Sequence, residues 1–130
     1  MKEVIIVAGK TKADVGRLRR SLREKGYDSI PCRSAGQIIE EMEILPTCDA
    51  RVPLVIVEPE ILSDLSDDSI ARLSDLALDV SFLLCNEEQM QPDLTEIFDR
   101  ICEYRAVFKR QQNPELADVL TENGVRVICD

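Results

Sequence analysis

Histidine is absent from the chain, and its five cysteines (Cys32, Cys48, Cys85, Cys102 and Cys129) are odd in number, widely spaced and include no C-x-x-C pair. These absences argue against zinc centres of Cys and His, haem attachment and any histidine-activated nucleophile; reduced, mostly buried thiols are expected instead. No apolar run approaches the ~20 residues that span a bilayer. The N-terminal MKEVIIVAGK holds a short apolar run that falls short of a signal-peptide core, so a cytoplasmic location is expected. Repeats, linkers and low-complexity segments are missing as well. Glycine is sparse where phosphate loops need it. AGKT at Ala8–Thr11 follows an apolar run, but the glycine required five residues before the Gly-Lys pair is Val4. Gly9 and Gly16 do not make a dinucleotide fingerprint either.

What remains is an ordinary globular composition. The chain has 130 residues, 45% of them hydrophobic and 32% charged, enough for one domain with its own core. Its charge is lopsided. Residues 1–26 carry 8 basic and 3 acidic residues, whereas residues 27–130 carry 8 and 22. So acidic a body argues against direct binding of nucleic acid.

The stretch VPLVIVEPEIL, Val52–Leu62, organises the rest. Its apolar run shows no alternation and stops at Glu58, which reads as a strand covered on both faces, in a parallel sheet between helix layers. Loops at the C-terminal ends of such strands gather chemistry. Val4–Val7 is a second such strand. Thr11 with Asp14 suggests a capping box for a helix with Ala13, Val15, Leu18 and Leu22 inward, closed by Gly26. Its outer face carries Lys12, Arg17, Arg19, Arg20, Arg23 and Lys25. Tyr27–Cys32 contains Pro31 and is expected at a sheet edge. Ser34 with Gln37 opens a helix bearing Ile38, Ile39, Met42 and Leu45, which Pro46 stops. A helix over Ser66–Leu78, a strand over Val80–Cys85 and an amphipathic helix from Pro92, acidic outside, come next. A strand at Ala106–Lys109 is followed by a helix capped by Asn113, with Pro114 first and Gly124 past its end. Residues 1–124 then form the domain, and residues 125–130, with Val125–Cys129 strand-like, a tail. This alternation predicts a three-layer α/β fold with a five-stranded parallel sheet of flavodoxin-like order 2-1-3-4-5.

VIIVAG, GYDSIPCRSAGQIIE, VPLVIVEP and VFKRQQNPEL, in this order, resemble the corresponding segments of response-regulator receiver domains over about residues 3–123. The resemblance implies a degenerate site. The family's magnesium-binding acidic pair falls on Ala8 and Gly9, its phosphoacceptor aspartate on Glu58, its hydroxyl residue on Cys85, its switching aromatic on Ala106 and its proline after the lysine on Arg110. Only Lys109 matches. This implies a pseudo-receiver without enzymatic activity, metal or cofactor, acting through a protein partner, its own downstream domain or a second copy in signal transduction. The basic face of the first helix (Arg17, Arg19, Arg20, Arg23) is a candidate docking surface. Two further expectations are an ion pair between Glu58 and Lys109, and a reactive Cys85 thiol beside that lysine in a small-ligand or redox pocket. An atypical phosphoacceptor is the remaining alternative.

Overall fold

The computed structural model describes residues 2–76, 79–102 and 108–127. In chain order the elements are β1 (Lys2–Ala8), α1 (Lys12–Glu24), β2 (Asp28–Cys32), α2 (Ala35–Ile44), β3 (Ala50–Arg51), β4 (Leu54–Val57), α3 (Pro59–Leu62), α4 (Asp67–Leu76), β5 (Ser81–Leu84), α5 (Pro92–Cys102) and α6 (Pro114–Glu122). The sheet has five parallel strands, ordered β2-β1-β4-β5, with the two-residue β3 pairing the start of β1. The expected α/β architecture is therefore present, and no helix is long and apolar enough to cross a membrane among the described residues.

Continuous apolar runs form the centre because both sheet faces are covered. Ile6, Ala8, Val55, Val57, Phe82 and Leu84 point to one face, where Ile38, Met42, Ile61, Leu62, Leu73 and Ile101 of the helices pack. Their neighbours Ile5, Val7, Leu54, Ile56, Leu83 and Cys85 point to the other, against Val15, Leu18 and Leu22 of α1 and Leu116, Ala117, Val119 and Leu120 of α6. Two-residue periodicity thus divides each strand between two cores. Burial of each such aliphatic side chain contributes about 1.5–3 kcal/mol, which is why β4 tolerates no polar residue before its end. β2 pairs with β1 alone, so Pro31 is at an edge.

Local signals held at α2 and failed in part at α1 and α6: Asn113 occupies the N-cap of α6 without a side-chain cap and donates its Nδ2 to Lys109 O at 3.5 Å instead. Ser34 Oγ accepts from the Gln37 N–H at 3.2 Å, and Gln37 Oε1 accepts from the Arg33 N–H. Pro46 does not act as a simple stop: Leu45–Cys48 forms a 3-10 turn closed by Asp49 at φ 57°. Thr11 occupies the N-cap of α1 without a side-chain cap, and its N–H, which Asp14 would accept in a capping box, goes to Glu58 Oε1 instead.

The C-terminal quarter departs from the expected order. Ala106, expected at the switching aromatic's position, lies outside the described residues. Phe108 and Lys109 are not strand; they lead into a turn, and Phe108 is buried against the α6 side of the sheet. α6 starts near the beginnings of the strands, where Asn113 shares a cleft with Pro53 and Ser81, and ends beside Asn86. It therefore runs in the strand direction, and the chain must turn back after it. Val125 then bridges Cys85 antiparallel, with Asn86 N–H donating to Gly124 O and Arg126 N–H to Leu84 O. A single antiparallel bridge from Val125 thus lies beside β5, where a fifth parallel strand was expected. Antiparallel edges on parallel sheets are common in doubly wound folds.

Candidate functional site

The finishing ends of β1, β4 and β5 bring Ala8, Gly9, Glu58 and Cys85 together. The Glu58 N–H donates to Ala8 O at 2.9 Å, and the Cys85 N–H donates to Val57 O at 3.0 Å. Pro59 starts a single helical turn directly after β4, leaving Glu58 as its extended N-cap residue. That backbone turns the side chain inward, and Glu58 is only 2% exposed.

The carboxylate rests on the α-carbon of Gly9. A methyl group there would overlap Glu58 Oε1, lie 2.6 Å from its Cδ and lie 2.8 Å from Val15 Cγ2. Glycine is thus the residue that leaves room for the longer acid. Oε1 accepts from the Thr11 N–H at 3.4 Å, at the positive end of α1, and Oε2 accepts from Asn86 Nδ2 at 3.2 Å. No lysine or arginine pairs with Glu58 among the described residues. Burial therefore pushes its pKa above the usual glutamate range; the two hydrogen bonds pull the other way, and Asp14 and Glu60 add to the rise.

Asn86 is the site residue that the sequence reading overlooked. It stands at φ 54°, a left-handed conformation that asparagine tolerates, and this turns its amide back over the strand end. An asparagine directly after an apolar run was the available signal.

Lys109 is elsewhere. It lines a cleft of about 620 Å³ at the beginnings of the strands, with Glu3, Arg51, Asp79 and Ser81. The expected Glu58–Lys109 ion pair does not form, because Lys109 lies at the opposite end of the strands from Glu58. The expectation of a thiol activated by that lysine falls with it. Burial, reinforced by Glu58, pushes the Cys85 thiol up to about 12. The cavity touching both Glu58 and Cys85 holds about 10 Å³, no more than one water could use. Nor are the thiols mostly buried: of the four described cysteines, Cys32 and Cys85 are buried, Cys102 is half-buried and Cys48 is exposed.

Magnesium, which the receiver resemblance brings into question, does not fit this donor set. Ala8 and Gly9 offer no side-chain oxygen, the single carboxylate is held by Thr11 and Asn86, and Asp14 is paired with Arg17 at 2.8 Å. A hydrated divalent cation would need charged oxygens and space that are both lacking. Above the site, Lys10 reaches Asp64 at 3.2 Å.

On α1, Arg17 is committed to Asp14, and Arg19 donates to Ser29 Oγ at 3.3 Å and Ser29 O at 3.1 Å. Arg20 and Arg23 are exposed and form no ion pair among the described residues.

No protein-family model matches the chain, and no curated protein matches it. Solved structures do. The signal receiver domain of an HD domain-containing protein from Pseudomonas fluorescens Pf-5 superposes with a TM-score of 0.59 at 19% identity, covering 94% of this chain and 89% of that one. A fusion carrying a yeast Spc42 trimeric coiled-coil segment superposes at 0.58 and 13% identity, over 95% and 77% of the two chains. A response regulator from Burkholderia pseudomallei with a phosphorylated aspartic acid reaches only 0.35 at 17% identity, over 95% and 86%, too loose a fit to carry weight. The chain has the receiver fold.

Proposed function

We propose that this chain is a receiver-fold module that works without phosphorylation, by protein–protein contact, in bacterial signal transduction or transcription control. The observation that carries the reading is the seat of Glu58. Its carboxylate fills the space over Gly9 where a receiver's metal-binding acid would project, and it is held there by Thr11 and Asn86. In-line phosphoryl transfer needs an exposed, metal-neutralised acceptor; this acid is buried, and no carboxylate at Ala8 or Gly9 assists it. The displacement of Lys109 to the other end of the sheet supports the same reading, since the cation that would meet a phosphoryl group is missing from the pocket. A ligand shifts an equilibrium only through a difference in binding to its states, and here nothing at the pocket supplies one.

The partner is a protein, either a signalling protein, a downstream domain or a second copy of the chain, met in part by Arg20 and Arg23. Treatment with acetyl phosphate and magnesium should leave the intact mass unchanged, and beryllofluoride should not move the amide resonances of Pro92–Cys102. A phosphoryl adduct on Glu58 would sink the reading. Charge reversal at Arg20 and Arg23 should weaken partner capture in a salt-dependent way.

A further inference from the structure

A second site lies one strand away from Glu58, between α1 and the edge strand β2. Two adjoining hollows run along this face. The upper, about 470 Å³, is lined by Gly9, Lys12, Val15, Gly16, Arg19, Pro31, Arg33 and Gln37, without a carboxylate. The lower, about 420 Å³, shares Gly16 and Arg19 and adds Arg20 and Arg23, with Asp28 at its far end. Asp28 faces Lys2 at 3.8 Å.

The cations here are left over in a chain that is short of them. Acidic residues outnumber basic ones 25 to 16, and among the described residues eight lysines and arginines are in ion pairs. Lys12, Arg19, Arg20, Arg23 and Arg33 form none among the described residues, yet all five surround this groove. Arg19 is already fixed to the sheet edge through Ser29, which leaves further guanidinium N–H donors over.

Gly16 is the independent observation. It sits in the middle of α1 and is exposed, and a methyl group on it would meet nothing within 4 Å. No turn and no packing inside the chain requires it, so it weakens the helix without a structural return. It does keep the shared floor of both hollows flat. Pro31, exposed, flanks it with apolar surface, and Val15 lies buried beneath.

We propose that this groove binds a phosphorylated small molecule with a flat apolar body, the chemical class of nucleotides. The body lies across Gly16 and Pro31, and the phosphates meet Lys12, Arg19 and Arg33. The location suits such a ligand, since the groove opens at the finishing ends of β1 and β2 and beside the first turn of α1. Its upper volume is that of a small-ligand site. Binding would rest on side chains rather than on a glycine-rich loop, consistent with the missing phosphate-loop motif.

The test is an amide-resonance titration of the full chain with ATP, adenosine, tripolyphosphate and a Glu/Leu-rich helical peptide. ATP should give saturable shifts at Gly9, Lys12, Val15, Gly16 and Arg33, and adenosine or tripolyphosphate should bind at least about tenfold more weakly, each lacking one set of contacts. Arg19→Gln and Arg33→Gln should each weaken ATP by about tenfold. Gly16→Leu should abolish binding yet melt at a higher temperature than the wild type, so that loss of binding is separable from loss of fold. The proposal is overturned by the absence of saturable shifts there, by tripolyphosphate matching ATP (adventitious polyanion binding only), by tighter binding of the peptide (a protein-docking face), or by full ATP affinity in Gly16→Leu.

Discussion

Replacing Gly9 with alanine probes the centre of the candidate site. The new methyl group would overlap Glu58 Oε1, and Val15 Cγ2 lies 2.8 Å away. Gly9 has no left-handed φ, so alanine brings no backbone strain there; by restricting the unfolded chain it would favour folding by about 0.4–1 kcal/mol. Against this stands overpacking of about 1–3 kcal/mol. The carboxylate must also leave, giving up its bonds from Thr11 and Asn86, and hydrogen bonds to a charged group are worth about 1.5–3 kcal/mol. A net loss of about 2–5 kcal/mol is expected. In a Glu58→Ala background only the Val15 contact remains, and the loss should fall to about 1 kcal/mol or less. Urea unfolding of the four proteins, with unchanged m-values, yields the coupling energy directly, about 1–4 kcal/mol here. Equal costs of Gly9→Ala in both backgrounds would show that the carboxylate does not rest on Gly9, and the account of the site would fail with it.

Glu58 holds its proton more tightly folded than unfolded, so the stability it contributes is present at acid pH and lost as pH rises through its folded pKa. Glu58→Gln, neutral throughout, should therefore be more stable than the wild type at pH 7, with an advantage that shrinks toward pH 4 in chemical unfolding. Cys32 and Cys85, both pushed to about 12, should resist iodoacetamide at pH 8. On thiolate fraction alone they should react about a thousandfold more slowly than an ordinary exposed thiol, so peptide mapping should find label on Cys48 well before Cys32 or Cys85. Asn86→Ala should be less stable than Asn86→Gly by about 1 kcal/mol, since both lose the amide and only alanine strains the left-handed backbone.

The sequence by itself determined the layered sheet. Val4–Val7, Val52–Val57 and Val80–Cys85 are apolar on both sides of the strand, and only a sheet covered on both faces satisfies them. Pro31 placed β2 at an edge, Ser34 with Gln37 marked one helix start through local capping, and Pro114 marked another through proline geometry. Ala8, Gly9, Glu58 and Cys85 were also legible as one cluster, since residues that end neighbouring parallel strands must meet. Tertiary structure decided what depends on chain direction and on side-chain reach. AVFK and VRVIC are equally strand-like in composition, and nothing local says which will lie beside β5. Once α6 runs along the strand direction, the tail is the segment that returns there, and Lys109 is left at the far end of the sheet from Glu58. The inward fold of Glu58 onto Gly9 likewise rests on a close approach of two chains 49 residues apart, and no spacing within either segment could announce it.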